Sequence, residues 1–296
     1  MSAINDPNAV RRQYATDERI RIRQEIHEKY SVPKIDFPDW VLSNFKWRGT
    51  ERVLDVGSGA GMYYPSLKRA SSEINYHGAD LSTGMLLKHP AYVTPTDTVL
   101  LADAQHLPYT NHSFDVIMAN HMLYHVSDID AALQEFRRVL KPDGALLIAT
   151  NSTQSMPELQ VLMRRAIILL TRSGASQVQP PVPASDLFAL ENGSRQLARH
   201  FYAVVRYDLP SALVFTDIEP LMAYLESTRD LREPQLPSDV AWDDMMVIMR
   251  QQVTHLINHL GELVINKLSG ALVATDQGGF IREFSRMNHN HTHKIG

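Results

Sequence analysis

The chain has 296 residues, 44% apolar and 21% charged, enough for one large α/β domain with an insertion or for two small domains, and too apolar to be mostly disordered. It contains no cysteine, which excludes disulfides, cysteine zinc sites and thiol catalysis, and its net charge of −4 argues against a broad nucleic-acid surface. No apolar run approaches the roughly 20 residues that cross a bilayer, and Met1 to Val10 lacks a signal-peptide core. A soluble, cytoplasmic protein that binds neither membrane nor nucleic acid is the expectation.

In chain order, Arg11 to Tyr30 reads as a charged helix with Ile22 and Ile26 on one face, ending before Pro33. A short helix follows over Pro38 to Phe45, with Trp40 and Phe45 as anchors. From Glu51, short apolar runs alternate with helical segments. Strands are predicted at Arg52 to Val56, Ile74 to Ala79, Thr98 to Ala102, Phe114 to Ala119 and Ala145 to Thr150, with helices after Gly61, at Leu81 to Leu87 and at Asp128 to Leu140, and a turn at Lys141 to Gly144. This alternation signals a parallel sheet covered on both faces.

The pattern breaks at Asn151. A helix over Met156 to Leu170 and a proline-rich stretch suit a lid or a linker. Phe201 to Phe215 reads as one strand bent at Pro210, Ile218 to Leu225 and Asp243 to Leu260 as helices, and Glu262 to Thr275 as a closing strand pair turning at Ser269-Gly270. The chain thus divides into a helical cap (1–48), a core (49–151), a lid or substrate insertion (152–200) and a C-terminal completion of the sheet (201–296).

The most informative run is VLDVGSGAG, Val53 to Gly61. A strand runs into Gly57, Ser58, Gly59 and Gly61, where glycine lets a ligand approach the main chain and a helix start faces an anionic group. The dinucleotide fingerprint needs glycine at its first, third and sixth positions, and the sixth here is Met62. Asp55, just before the loop, repels a pyrophosphate and suits an ammonium. Asp80 ends the second strand, where a carboxylate can accept from a ribose diol, and Asp103 follows the third, where it can accept from an adenine amino group. Each alone reads equally well as a cap or turn residue.

With VLDVGSGAG, GADLSTGML, ADAQHLPYTNHSFDVIMANHMLYHV and FRRVLKPDGALLIAT in this order, the run from Val53 to Thr150 resembles the class I S-adenosylmethionine-dependent methyltransferases, particularly the type 11 group that includes ubiquinone/menaquinone methyltransferases. The resemblance implies a Rossmann-like, mostly parallel seven-stranded sheet with helices on both faces, and S-adenosyl-L-methionine as cofactor. It places Asp55 and the glycine loop at the methionine moiety, Asp80 at the ribose, Leu81 and Met85 along the nucleoside, and Asp103 with Ala104 at the adenine. The backbone carbonyl of Asn120 faces the adenine amino group, and Tyr14 and Arg23 of a cap helix close over the methionine end; a solvated helix face is the other reading of that pair.

The expected reaction is in-line transfer of a methyl group to an O, N or C atom of a small molecule. Alternatives are methylation of RNA or protein, a catalytically silent partner protein and, at a distance, an NAD-dependent oxidoreductase. Orientation supplies much of the acceleration; a base helps a hydroxyl or carbon acceptor. Candidates are His121, tuned near neutral pH, then His125, with Tyr124 orienting substrate, and each also reads as pocket wall. Met156, Leu159, Met163 and Ile167 form a lid face or plain core. Arg164, Arg165 and Arg172 attract an anion or form a solvated face. His289, His291 and His293 have no nearby carboxylate, so no metal is expected.

Overall fold

The computed structural model describes residues 18–172 and 178–277. Tyr14 and the three late histidines lie outside them. The chain opens with α1 (Glu18–Tyr30), the two-residue β1 (Ser31–Val32) and α2 (Phe37–Ser43). Asp36 caps α2 by accepting from the Asp39 amide at 3.0 Å.

The alternating part follows as β2 (Arg52–Val56), α3 (Tyr64–Ala70), β3 (Asn75–Asp80), the single turn α4 (Thr83–Leu86), β4 (Thr98–Leu101), β5 (Phe114–Met118), α5 (Ile129–Val139) and β6 (Leu140–Asn151). The central strands β2 and β5 are almost wholly buried, β4 is a more exposed edge, and β4, β3, β2, β5 and β6 pair in parallel. The predicted turn at Lys141 to Gly144 lies inside β6 as an irregularity: four residues of β6 lie between Phe114↔Leu140 and Val116↔Ala145, against one of β5.

The rest comprises α6 (Pro157–Leu170), α7 (Leu190–Leu197), β7 (Ala203–Phe215), α8 (Glu219–Glu226), α9 (Arg229–Arg232), α10 (Trp242–Leu260) and β8 (Leu263–Thr275). The sheet has eight strands rather than seven, in the order β1-β7-β8-β6-β5-β2-β3-β4, because β1 adds an antiparallel edge to β7.

The expected strand pair at Glu262 to Thr275 is instead one continuous strand. A Cβ on Gly270 would lie 2.2 Å from the Tyr207 carbonyl oxygen. The glycine therefore serves a close approach between strands, which sequence composition cannot tell from a turn.

Strands β7 and β8 pair along all 13 residues, whereas β6 pairs with β8 only from Ser269 onward. The free end of the β7–β8 ribbon overhangs the carboxyl end of β6. Its apolar side chains Leu213, Phe215, Leu263 and Ile265 join α1, α6, α8 and α10 in a separate core. Leu159, Met163 and Ile167 are buried there as plain core, while Arg164, Arg165 and Arg172 are exposed. A roof thus stands over the carboxyl ends of the parallel strands, where ligands of open α/β sheets bind. Among the described residues no helix is long and apolar enough to cross a membrane.

Candidate functional site

Between the strand ends and the roof lies a cavity of about 1470 Å³, larger than the roughly 300–1,000 Å³ that holds one small ligand. Arg23, Asp55, Gly57, Ser58, Gly59, Asp80, Leu81, Met85, Asp103, Ala104, Asn120, His121, Tyr124 and His125 all line it. Residues separated by up to 102 positions in sequence are thereby brought to one space.

One half is built on the glycine loop. The loop is held to the end of β3 by the Gly57 and Ser58 amides, which donate to the Ala79 carbonyl at 2.7 and 3.1 Å. Gly57, Gly59 and Gly61 have φ of +68°, +56° and +83°, the left-handed region that favours glycine. A Cβ on Gly57 would strike Met122 at 2.6 Å, and one on Gly61 Pro90 at 2.8 Å, whereas on Gly59 nothing lies nearer than Met85 Cε at 3.5 Å. Gly59 is the member whose bare backbone faces the cavity; Gly61 makes the turn behind it and does not line the space.

Three carboxylates ring this half. Asp55 is buried beneath the loop, and burial raises its pKa to about 7. Asp80 accepts from the Gly59 amide at 2.9 Å and the Ser82 amide at 2.8 Å, so it links loop and strand end; burial pushes its pKa upward too. Asp103 accepts from the Gln105 amide at 2.9 Å and the Gln105 side chain at 3.1 Å, beside buried Ala104. Leu81 is half-exposed and Met85 buried. Asn120 accepts from the Ala149 amide at 2.9 Å, yet its buried Nδ2 has no protein partner, and neither has the buried hydroxyl of Tyr63. Two orphaned polar atoms on a glycine-lined wall fit a ligand rich in polar groups.

The other half lies under the roof. His121 adopts φ +55° and packs its ring on Phe37, centroids 5.5 Å apart; Tyr124 and His125 meet edge to face at 4.5 Å. Neither imidazole is tuned near neutrality as expected. Burial first, then Lys267, lowers the pKa of His121 to about 4. Burial, Arg23 and His121 lower that of His125 to about 3. Arg23 reaches the cavity from α1 and donates to the Ser227 carbonyl at 3.1 Å.

Among the lining residues not singled out from sequence are His27, Tyr63, Arg232 and Lys267. Lys267 shares a face of β8 with Leu263 and Ile265 by the period of two. The only signal was a lysine interrupting an apolar strand, and a solvent-facing lysine reads identically. Among the described residues no cluster of three or more potential metal ligands occurs.

Residues 54–148 match a family described as a methyltransferase domain. The chain is 33% identical over 111 residues to a malonyl-[acyl-carrier protein] O-methyltransferase of Halorhodospira halophila, covering 37% of this chain and 38% of that protein. It is 34% identical over 149 residues to the ubiquinone/menaquinone biosynthesis C-methyltransferase UbiE of Syntrophotalea carbinolica, covering 45% and 63%. The chain thus spans less than two thirds of these relatives. Among solved structures, the [4+2]-cyclase SpnF superposes with a TM-score of 0.53 at 16% identity over 91% of this chain and 96% of that one. A phosphoethanolamine N-methyltransferase 2 of Haemonchus contortus, solved with phosphomonomethylethanolamine and S-adenosylhomocysteine, gives 0.53 at 16% over 94% and 61%. At such identity these two establish the fold alone.

Proposed function

With residues 54–148 forming a methyltransferase domain of the class I, type 11 group, we propose that the protein is an S-adenosylmethionine-dependent methyltransferase that acts on a small molecule. One observation carries the reading: a single cavity joins a carboxylate-ringed, glycine-lined half to a second half large enough for an acceptor. When bound, S-adenosylmethionine supplies a methyl group already activated by its sulfonium.

Asp80 holds the ribose hydroxyls and Asp103 with Ala104 the adenine, while Leu81 and Met85 flank the nucleoside. Asn120 offers its carbonyl to the adenine edge. Asp55 and the loop of Gly57, Ser58 and Gly59, with Gly61 shaping its turn, receive the methionine end. Arg23 covers the cavity from the roof. His121, Tyr124 and His125 orient the acceptor, and the roof keeps water out of the reaction path. With both imidazoles such weak bases, catalysis rests on orientation more than on proton removal. The protein works as a soluble enzyme in the cytoplasm.

Titration with S-adenosylhomocysteine tests this. Micromolar binding is expected, weakened about tenfold or more in Asp80→Ala, the loss of a hydrogen bond to a charged group. Absence of binding by the folded wild type overturns the proposal.

A further inference from the structure

The two halves of the cavity carry opposite charge. Carboxylates ring the glycine half, but the half under the roof is lined by Arg23, Arg232 and Lys267. None of these three has a carboxylate within ion-pair distance among the described residues. Arg232 is 7% exposed, and its guanidinium donates to the Pro181 carbonyl and the Met163 sulfur, both at 3.3 Å. Two soft contacts leave most of a guanidinium's five donors without a partner of matching strength. Among the described residues Lys267 Nζ meets His27 Nδ1 and Ser31 Oγ, both at 3.1 Å.

The nearby acids do not neutralise this group. Asp186 feels Arg232 from beyond ion-pair distance, and burial pushes its pKa up to about 6, so at neutral pH it offsets the three cations in part. Asp36 caps α2 and lies 3.9 Å from Arg69, and Glu28 is exposed. Three imidazoles line the same half. His27, His121 and His125 are all held neutral, by burial and then by Lys267 or Arg23. Gathering like charges around a void costs stability, and unsatisfied buried cations are retained where a ligand completes them. The same half also presents Ile35, Phe37, Met156 and Leu209.

We infer that the methyl acceptor is an anionic amphiphile, a carboxylate or phosphate monoester on an apolar body, whose anionic group is seated by Arg23, Arg232 and Lys267. The inference rests on the methyltransferase reading for the word acceptor, but anion binding stands on the cationic cluster alone. Arg232 supplies the fork that matches two oxygens of such a group, and Lys267 a point charge at its side. The glycine half, ringed by carboxylates, repels the same ligand, so the anion has one orientation in the cavity.

The test is calorimetric titration of the full chain, with and without saturating S-adenosylhomocysteine, using octanoate, octyl phosphate, octanol and octylamine as probes. One or both anions should bind, and which one does identifies the source of the charge. The alcohol and amine should bind about tenfold more weakly or not at all. Lys267→Met and Arg232→Met should each weaken anion binding about tenfold or more and leave S-adenosylhomocysteine affinity within about twofold. Arg23→Gln, on the outer helix α1, should weaken anion binding likewise and tests that arm alone should a buried substitution fail to fold. Failure of both anions to bind, equal binding of the amine or alcohol, or indifference to all three substitutions overturns the inference. Failure of S-adenosylhomocysteine alone overturns the methyltransferase reading, while anion binding to the cofactor-free protein is still measured.

Discussion

The Tyr76 hydroxyl donates to Asp55 Oδ2 at 3.0 Å, deep beneath the glycine loop, and behind it lies His89 Nε2 at 2.9 Å. The Ala91 amide donates to His89 Nδ1 at 3.0 Å, which places the imidazole proton on Nε2. His89 therefore donates to Tyr76, and Tyr76 to Asp55, in a buried chain with one direction. A Cβ on Gly61 would touch His89 Nε2 at 2.9 Å, so chain and loop are packed as one unit.

On the proposed reading, in which Asp55 meets the ligand's ammonium, cofactor binding depends on pH. Its folded pKa, about 7, exceeds the ordinary 3.8 because of burial. Below 3.8 both folded and unfolded forms are protonated. Between 3.8 and 7 only the unfolded chain has lost the proton, so this residue's contribution to stability falls as pH rises, and the loss is complete above 7. A ligand ammonium reverses that cost by favouring the carboxylate. S-adenosylhomocysteine should bind more tightly as pH rises from 6 to 8, with net proton release seen as a buffer-dependent heat. Asp55→Asn should abolish both.

Acid should nevertheless destabilise the whole fold, because more groups pull the other way. His27, His121 and His125 have folded pKa values of about 3, 4 and 3 against 6.5 unfolded. Their contribution is present above 6.5 and is lost as pH falls below it. Thermal melts should drop between pH 6.5 and 4, and less steeply in His121→Asn. The rate of methyl transfer should show no inflection near 6.5.

Lys267 sets the opposite limb. Burial lowers its pKa to about 8, so the charge offered to an anionic acceptor disappears as pH rises through that value. KM should climb above pH 8 while kcat changes little, and Lys267→Arg should move the limb beyond the measurable range.

Two glycines should separate binding from folding. Gly59→Ala meets no close atom but must hold φ +56°, a strain of about 1–2 kcal/mol. Its methyl group also occupies the face offered to the cofactor, so affinity should fall by more than stability. Gly270→Ala sets a methyl 2.2 Å from the Tyr207 carbonyl oxygen and should cost about 3 kcal/mol or more, seen as a collapsed melting temperature or loss of folded protein.

The parallel half was legible in the sequence because its signals are local. Apolar runs buried on both faces, a glycine loop directly after one of them, and aspartates at successive strand ends all lie within a few residues of the elements they mark. The same locality misled at Ser269-Gly270, since a glycine required by a neighbouring strand looks identical to one required by a turn. At His121 and His125 residue type leaves base and pocket wall both open, and only the fold shows the burial beside Lys267 and Arg23 that lowers their basicity.

By itself, the sequence determined the α/β class, the strand–loop–helix cradle at Val53 to Gly61 and the placing of Asp55, Asp80 and Asp103 at strand ends. Only the tertiary structure decided what faces them. Lys267 sits on a ribbon that overhangs β6, Arg232 in a four-residue helix of the roof and Arg23 some 200 residues earlier in α1. Nothing in their spacing brings three cations together. Long-range strand register and the packing of the roof do so, because the charge of a cavity belongs to the surfaces that close it.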